Sequence, residues 1–106
     1  MADRATVQFN LGVSYARGTR VAQDWAKAAH FFRLAAEQGL AAAQCNLGFC
    51  YERGEGVAQD CAEAVRYYRL AAEQGYTDAQ HNLGNCYHHG EGVAPDWTEA
   101  VRYYRS

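Results

Sequence analysis

The chain is 106 residues long, which suffices for one domain with one continuous core but not for two. Ten Lys and Arg residues against twelve Asp and Glu residues give a net charge of -2, and the basic residues form no cluster along the sequence. Nucleic acid and anionic membranes are therefore disfavoured as main partners. Because no apolar segment reaches signal-peptide or transmembrane length, and no disulfide pattern is evident, we expect a cytoplasmic location for the chain as given.

The sequence repeats itself at a constant offset of 36 residues. "QFNLGVSYARGTRVAQDWAKAAHFFRLAAEQG" at 8–39 matches "QCNLGFCYERGEGVAQDCAEAVRYYRLAAEQG" at 44–75, and "QHNLGNCYHHGEGVAPDWTEAVRYYR" follows at 80–105. Self-similarity at such a period is typical of solenoid proteins. We predict a single repeat domain, 1–106, with units at about 5–40, 41–76 and 77–106, the last of them incomplete.

Each unit begins with a predicted amphipathic helix. In the second unit Gln44, Leu47, Gly48 and Tyr51 fall at i, i+3, i+4 and i+7, which is the spacing of one helical face. A glycine inside a helix costs about 1 kcal/mol relative to alanine. Its return in every unit predicts a close approach of the second helix, whose facing residue, Ala64 in this unit, is also small.

A short glycine loop follows the first helix of each unit, seen in the second unit as Gly54-Glu55-Gly56. Two close glycines beside a helix start can cradle a phosphate, but a dinucleotide fingerprint requires a preceding strand. Here the loop joins two helices, so we interpret it as a turn in which Gly54 ends one helix and Val57 packs into the core. The first unit has Arg20 where the second has Gly56, which predicts that this position tolerates a side chain.

The second helix of each unit is predicted to begin at an aspartate: Asp24, Asp60 or Asp96. Glu63, three residues after Asp60, is placed to bond the amide of the cap residue and complete a capping box. Gly39 and Gly75 follow "AAEQ" and predict left-handed helix ends. Helices of about 12 to 14 residues are marginal alone in water, so stability is expected to come from stacking of the hairpins.

The pattern A-x-x-x-L-G-x-x-Y-x-x-G-x-G-V-x-x-D-x-x-x-A-x-x-x-Y-x-x-A-A-x-x-G, read most fully at 43–75, resembles the Sel-1-like repeat, a relative of the tetratricopeptide repeat. The resemblance covers nearly the whole chain. It implies an all-α fold, a right-handed α/α superhelix of three helix-turn-helix repeats. It also implies a non-enzymatic adaptor or scaffold that binds a peptide or partner protein on a concave face lined by the first helices.

The resemblance also implies where such a ligand would bind. In peptide-binding tetratricopeptide domains, the position before the conserved Leu contacts the ligand, and here that position is asparagine in each unit: Asn10, Asn46 and Asn82. An amide column can pair with an extended backbone of any sequence. The same face carries Phe49, Asn85, His89 and two arginines, Arg17 and Arg53, that can pair with a carboxylate. The alternative is that the asparagines hold neighbouring repeats together through backbone hydrogen bonds.

Other chemistry has little support in the sequence. Four cysteines are present, Cys45, Cys50, Cys61 and Cys86, and we expect buried free thiols, although one cysteine-rich bacterial branch of the family has paired cysteines. His81 and His88 lie about 10 Å apart along their helix. His88 and His89 should point in different directions, so neither a metal site nor a cofactor is expected. The only serines are Ser14 and Ser106. A hydrolytic enzyme of the cysteine-rich bacterial branch is the alternative function.

The last unit stops before the "LAAEQG" that closes the other two. Val101 and Tyr104 should therefore lack the hairpin that would cover them, and no polar cap is visible. We expect either that the chain is a fragment of a longer solenoid or that another chain covers this end. A homo-oligomer formed through the open C-terminal end is one such arrangement.

Overall fold

A computed structural model describes residues 3–105, so that Met1, Ala2 and Ser106, which ends the third predicted unit, lie outside the described residues. This part of the chain contains six helices and no strand. In chain order they are α1 (Arg4–Arg17), α2 (Trp25–Glu37), α3 (Ala41–Arg53), α4 (Cys61–Glu73), α5 (Thr77–His89) and α6 (Trp97–Tyr104). None of the helices between residues 3 and 105 is long and apolar enough to cross a bilayer.

The helices form three hairpins that stack in a row. Within a hairpin α1 packs on α2, α3 on α4 and α5 on α6, while α2 contacts α3 and α4 contacts α5 between hairpins. The molecule is accordingly elongated, with dimensions of 42 × 29 × 19 Å. This is the all-α, right-handed superhelix predicted from the sequence.

Aspartate caps begin the second helices as predicted, but the predicted capping boxes do not form. The side chain of Asp60 accepts from the Glu63 backbone N–H at 3.1 Å, and Asp24 and Asp96 do the same in their own units. The backbone N–H of Asp60 donates instead to the carbonyl of Tyr51 at 2.9 Å, because the loop returns the chain to the end of α3. Glu63 is left to pair with Arg66 at 3.0 Å.

The glycine inside each first helix marks a close helix crossing, as predicted. A Cβ added at Gly48 would lie 2.8 Å from the ring of Tyr68 and 3.2 Å from the carbonyl oxygen of Ala64. Gly12 and Gly84 face Phe32 and Tyr104 in the same way. The glycine therefore leaves room mainly for an aromatic ring of the partner helix. The small alanine that the sequence indicated lies beside this ring.

Gly56 contradicts the prediction that its position tolerates a side chain. A Cβ at this residue would lie 2.1 Å from the carbonyl oxygen of Trp25, at the start of the second helix of the preceding hairpin. In the third hairpin, a Cβ added at Gly92 would likewise lie 2.3 Å from the carbonyl oxygen of Cys61, at the start of the second helix of the preceding hairpin. Arg20 keeps the same left-handed backbone, with φ of 69°, but no hairpin precedes it within the described residues. Within residues 3–105, the side chain of Arg20 therefore meets no carbonyl equivalent to that of Trp25.

Within residues 3–105, stacking buries the middle hairpin on both sides and leaves the outer faces of the first and third hairpins exposed. Leu47 is fully buried, whereas its counterpart Leu11 is 41% exposed. Tyr68 is also fully buried, whereas Val101 and Tyr104 on α6 are 40% and 39% exposed. The predicted lack of cover over Val101 and Tyr104 is confirmed, and the exposed leucine at the other end is an addition to it.

Candidate functional site

Two pockets open side by side where α1, α3 and α5 adjoin, and together we call them the groove. The first has a volume of about 290 Å³ and is lined by Val13, Ala16, Arg17, Trp25, Phe32, Asn46 and Phe49. The second, of about 540 Å³, is lined by Cys45, Asn46, Phe49, Thr77, Asp78, His81 and Asn82. Asn46 and Phe49 belong to both pockets and therefore occupy the middle of the groove.

Four of the eight residues predicted to bind a ligand line the groove: Arg17, Asn46, Phe49 and Asn82. The remaining four do not line it: Asn10, Arg53, Asn85 and His89. Each lining asparagine sits between its own hairpin and the preceding one. Asn10, in the first hairpin, has no such neighbour within the described residues, and it is exposed.

The side-chain amide of Asn46 is available for a ligand. Within residues 3–105 it has no hydrogen-bond partner, although the residue is half-buried. Asn82 differs, because its amide nitrogen lies 3.8 Å from the Cys45 Sγ as a weak donor. Asn46 is therefore the one lining asparagine whose donors and acceptor are all unused by the described part of the protein.

Glutamines bond the backbone of the neighbouring hairpin, which was the alternative role considered for the asparagines. The Gln44 side chain donates to the carbonyl of Ala36 at 3.4 Å, and Gln80 donates to that of Ala72 at 3.3 Å. The repeat spacing placed these glutamines on the inner helix face but did not reveal this contact. The available signal was a long amide side chain near the start of a first helix, close along the chain to the end of the preceding helix.

Phe49 forms the apolar centre of the groove. It is 37% exposed, its ring centroid lies 6.2 Å from that of Trp25, and the Arg53 guanidinium lies 5.4 Å from its ring centre. Arg53 thus flanks the groove by stacking over Phe49 without lining either pocket. Trp25 was missed by the sequence reasoning, which treated the start of α2 only as a capping site.

The two pockets differ in charge. Arg17 lines the first pocket, and Asp78 and His81 line the second. Asp78 was also missed, although an acidic residue in the first turn of a helix that opens onto a pocket was a usable signal. An extended ligand lying along the groove would meet a cation at one end and a carboxylate at the other.

The last two predicted residues, Asn85 and His89, lie towards the α6 end and contact neighbouring side chains there. The hydroxyl of Tyr104 donates to Asn85 Oδ1. His89 stacks on His88 with ring centroids 4.6 Å apart, and His88 also packs against Trp97 at 4.3 Å. The prediction that these two histidines point in different directions is wrong, because their rings stack on each other with only 7° between their planes. Residues 3–105 hold no group of three or more His, Cys, Asp or Glu side chains arranged to bind a metal ion.

Comparison with known proteins identifies the repeat. The family model described as "Sel1 repeat" matches residues 5–40, 41–76 and 77–106. The chain belongs to the Sel1 repeat family. Proteins of this family mediate protein–protein interactions and are typically non-enzymatic scaffolds.

Solved structures of other Sel1 repeat proteins resemble this chain closely. One is c5321, a protective antigen of uropathogenic Escherichia coli strains with an SLR fold, at 42% identity and a TM-score of 0.94. Another is a Sel1 repeat protein from Oxalobacter formigenes, at 37% identity and a TM-score of 0.92. The alignments cover 95% and 96% of this chain but only 22% and 42% of those proteins.

The fold extends to the cysteine-rich relatives. Helicobacter pylori cysteine rich protein B matches with a TM-score of 0.79 at 23% identity, over 95% of this chain and 78% of that one. At this identity the likeness concerns the fold alone. No curated protein sequence matches the chain.

The cysteines of this Sel1 repeat protein are free, and three of the four are buried; Cys61 is the half-buried exception. Burial, with a smaller contribution from Asp78, raises the pKa of Cys45 to about 12. Burial likewise raises the pKa of Cys50 to about 11 and that of Cys86 to about 12. A nucleophilic cysteine needs a lowered pKa, whereas the pKa values of these three thiols are raised.

The buried thiols predict that the protein loses stability at alkaline pH. In the unfolded chain they titrate near pH 8.5, whereas in the folded chain they hold their protons to about pH 11 or 12. The folded state therefore binds more protons above pH 8.5, and the free energy of unfolding falls by up to about 1.4 kcal/mol per pH unit for each thiol. The expected result is a urea midpoint that is constant from pH 7 to 8 and drops between pH 9 and 10.5, measured with a reductant present.

The control for this prediction is Cys50→Ala. Removing one thiol should make the fall of stability with pH shallower by about 1.4 kcal/mol per pH unit, whatever the cavity costs at neutral pH. An identical slope in the variant and the parent would show that the thiols are not the cause.

Proposed function

We propose that this Sel1 repeat protein is an interaction module that binds an extended segment of a partner protein in the groove. The observation that supports the proposal best is the position of Asn46. Its unpaired amide lies between the two pockets and beside the apolar Phe49. An amide in this position can pair with the N–H and C=O of an extended backbone, while the flanking pockets receive side chains.

The chemistry of the pockets indicates which segment fits. The first pocket has the apolar walls of Trp25, Phe32 and Phe49 and suits an aromatic or aliphatic side chain. Arg17 at its edge suits a carboxylate, whereas Asp78 in the second pocket suits a basic side chain. The proposed ligand is an extended peptide with an acidic group, an apolar anchor and a basic group in that order along the groove.

A peptide-library selection against the purified protein tests this proposal, followed by titration of the selected peptide with variants. We expect Asn46→Ala to weaken peptide binding about fivefold to a hundredfold, since it removes one or two hydrogen bonds to the ligand. The melting temperature should stay nearly unchanged, because Asn46 has no hydrogen-bond partner within residues 3–105.

Two matched variants separate ligand contact from stability. Asn10→Ala alters the same repeat position outside the groove and should leave peptide affinity unchanged. Gln44→Ala removes the bond to the Ala36 carbonyl and should lower the melting temperature. Equal loss of affinity in the Asn10 and Asn46 variants, or a loss of stability in Asn46→Ala, would contradict a ligand-binding role for this amide.

A second candidate function is assembly through the open face of α6. We call the surface formed by Trp97, Val101 and Tyr104 the end face; these residues are 64%, 40% and 39% exposed. We infer that protein covers this face in the working assembly, since exposed apolar patches on a soluble protein mark interaction sites. A homo-oligomer is one such assembly, and the oligomeric state in solution is its first test.

A further inference from the structure

The contacts between hairpins follow one scheme that occurs twice. The Arg33 guanidinium donates to the Tyr51 hydroxyl at 2.7 Å, and Arg69 donates to the Tyr87 hydroxyl at the same distance. In each case the arginine belongs to one hairpin and the tyrosine to the next. The two glutamine bonds described above cross the same two junctions. A hairpin therefore presents an arginine and backbone carbonyls, and the following hairpin receives them with a tyrosine, a glutamine and a loop glycine.

The loop glycine is the most selective part of this scheme. Gly56 lies against the Trp25 carbonyl, and Gly92 lies against the Cys61 carbonyl. At both junctions an added Cβ would be within 2.1 to 2.3 Å of a backbone oxygen, a separation that atoms do not adopt. Since the obstacle is backbone at the start of a helix, no rotamer change relieves it. A hairpin without glycine at this position cannot stack in the same register.

The end face repeats two parts of the presenting half of the scheme, the carbonyl at the helix start and the arginine. The carbonyls of Ala36 and Ala72, which accept from the glutamines, have no counterpart in this sequence, because the equivalent position would be 108. Trp97 stands where Trp25 and Cys61 supply their carbonyls, and Arg105 stands where Arg33 and Arg69 reach their tyrosines. Among residues 3–105, no tyrosine hydroxyl accepts from Arg105. Val101 corresponds to Val65, which the next hairpin buries to 3% exposure. The established junctions thus specify what this face fits, namely a further hairpin of the same repeat type.

The first hairpin of a second copy has every receiving residue except one. Gln8, Leu11 and Tyr15 stand where Gln44, Leu47 and Tyr51 make the junction contacts, and Leu11 is exposed and ready to be buried. At the position of Gly56, however, it has Arg20. The backbone there has the same left-handed shape, with φ of 69° in Arg20 and 74° in Gly56. The Cβ of Arg20 would therefore meet the Trp97 carbonyl of the other copy.

We propose that the end face binds a Sel1-type hairpin with glycine at this loop position, and that Arg20 prevents the first hairpin of a second copy from taking its place. The proposal rests on the second candidate function and names its partner. Its physical consequence is the avoidance of polymerisation. Stacking of the first hairpin on the end face of another copy is a head-to-tail contact that leaves the same two faces free, so that identical chains would grow into open filaments.

The experiment replaces Arg20 by glycine, so that the first hairpin can stack on the end face of another copy. Arg20→Gly suits the positive φ and should leave the melting temperature unchanged or raise it. Combining it with Val101→Asp, which places a charge on the end face, gives a receiver chain that can stack on other copies but cannot extend itself. We expect this receiver to form a one-to-one complex with the wild-type chain in sedimentation velocity. It should form none with the Val101→Asp single variant, whose end face is blocked.

The outcomes separate this inference from the second candidate function. Absence of a complex between the receiver and the wild-type chain would overturn both the further inference and the second candidate function, since the end face would then not accept a glycine-bearing hairpin. A wild-type chain that already associates, and loses this association with either Val101→Asp or Leu11→Asp, would support assembly through the end face but overturn the role of Arg20. Circular dichroism melts of each variant verify that the chains compared are folded.

Discussion

Replacing Gly56 by alanine is expected to lower the free energy of unfolding by about 2–5 kcal/mol. The left-handed backbone of this residue, with φ of 74°, disfavours any side chain by about 1–2 kcal/mol. The added Cβ would also lie 2.1 Å from the Trp25 carbonyl oxygen, and the resulting overpacking costs typically about 1–3 kcal/mol more. Because the clash is with the preceding hairpin, it should weaken the junction between the first and second hairpins in particular. Urea unfolding, monitored by Trp25 fluorescence in a Trp97→Phe background, measures the loss of stability at this junction.

Gly75→Ala is the matched control for this substitution. Gly75 also has a positive φ, of 82°, but nothing lies within 4 Å of an added Cβ. Its substitution should therefore cost only the backbone strain, about 1–2 kcal/mol, and leave the junctions intact. The excess loss in Gly56→Ala over Gly75→Ala measures the contact between hairpins. Equal losses in the two variants would mean that the Trp25 carbonyl moves aside at little cost.

The interpretation of Gly56 also shows where repeat comparison stops being informative. The offset of 36 residues predicted the helices, their aspartate caps and their glycine ends, because each of these is decided by neighbours along the chain. The comparison of Arg20 with Gly56 assumed that aligned positions share one environment. They do not, since Gly56 is stacked on another hairpin and Arg20, within residues 3–105, is not. Contacts between units are invisible in an alignment of units.

The groove shows the same limit at the level of side chains. Periodicity placed Asn46 and Gln44 near one another on α3, but it could not assign which amide bonds the neighbouring hairpin and which is left for a ligand. The answer depends on reach, because the longer glutamine attains the Ala36 carbonyl at 3.4 Å. Trp25 enters the groove from α2, so no pattern within the first helices could have predicted it.

Truncation of Tyr68 to alanine is expected to cost about 3–5 kcal/mol, which is the usual range for a buried aromatic residue. Tyr68 is fully buried, and its ring fills the space above Gly48 where α3 and α4 cross. Removing it leaves a cavity between the second and third hairpins, beside Leu83 and Cys86. Chemical denaturation monitored by circular dichroism gives the loss directly.

Tyr68→Phe separates the ring from its hydroxyl. The hydroxyl donates to Glu52 Oε1 at 2.6 Å, and a hydrogen bond to a charged group contributes about 1.5–3 kcal/mol. The first hairpin has Phe32 and Ala16 at the equivalent positions and lacks both partners of this bond. The double variant Tyr68→Phe with Glu52→Ala imitates that natural pair and should recover part of the stability that Tyr68→Phe alone loses. No recovery would mean that Glu52 is fully rehydrated once the hydroxyl is gone.

A second cycle, between Gly48 and Tyr68, tests whether the glycine exists to admit the ring. In the parent chain Gly48→Ala should destabilise, because the new Cβ would lie 2.8 Å from the Tyr68 ring. In the Tyr68→Ala background the ring is gone, and the nearest remaining atom is the Ala64 carbonyl oxygen at 3.2 Å. The same substitution should then stabilise by up to about 1 kcal/mol, since alanine is the better helix former. A loss of stability in both backgrounds would show instead that the helix backbones, rather than the aromatic ring, require glycine at this crossing.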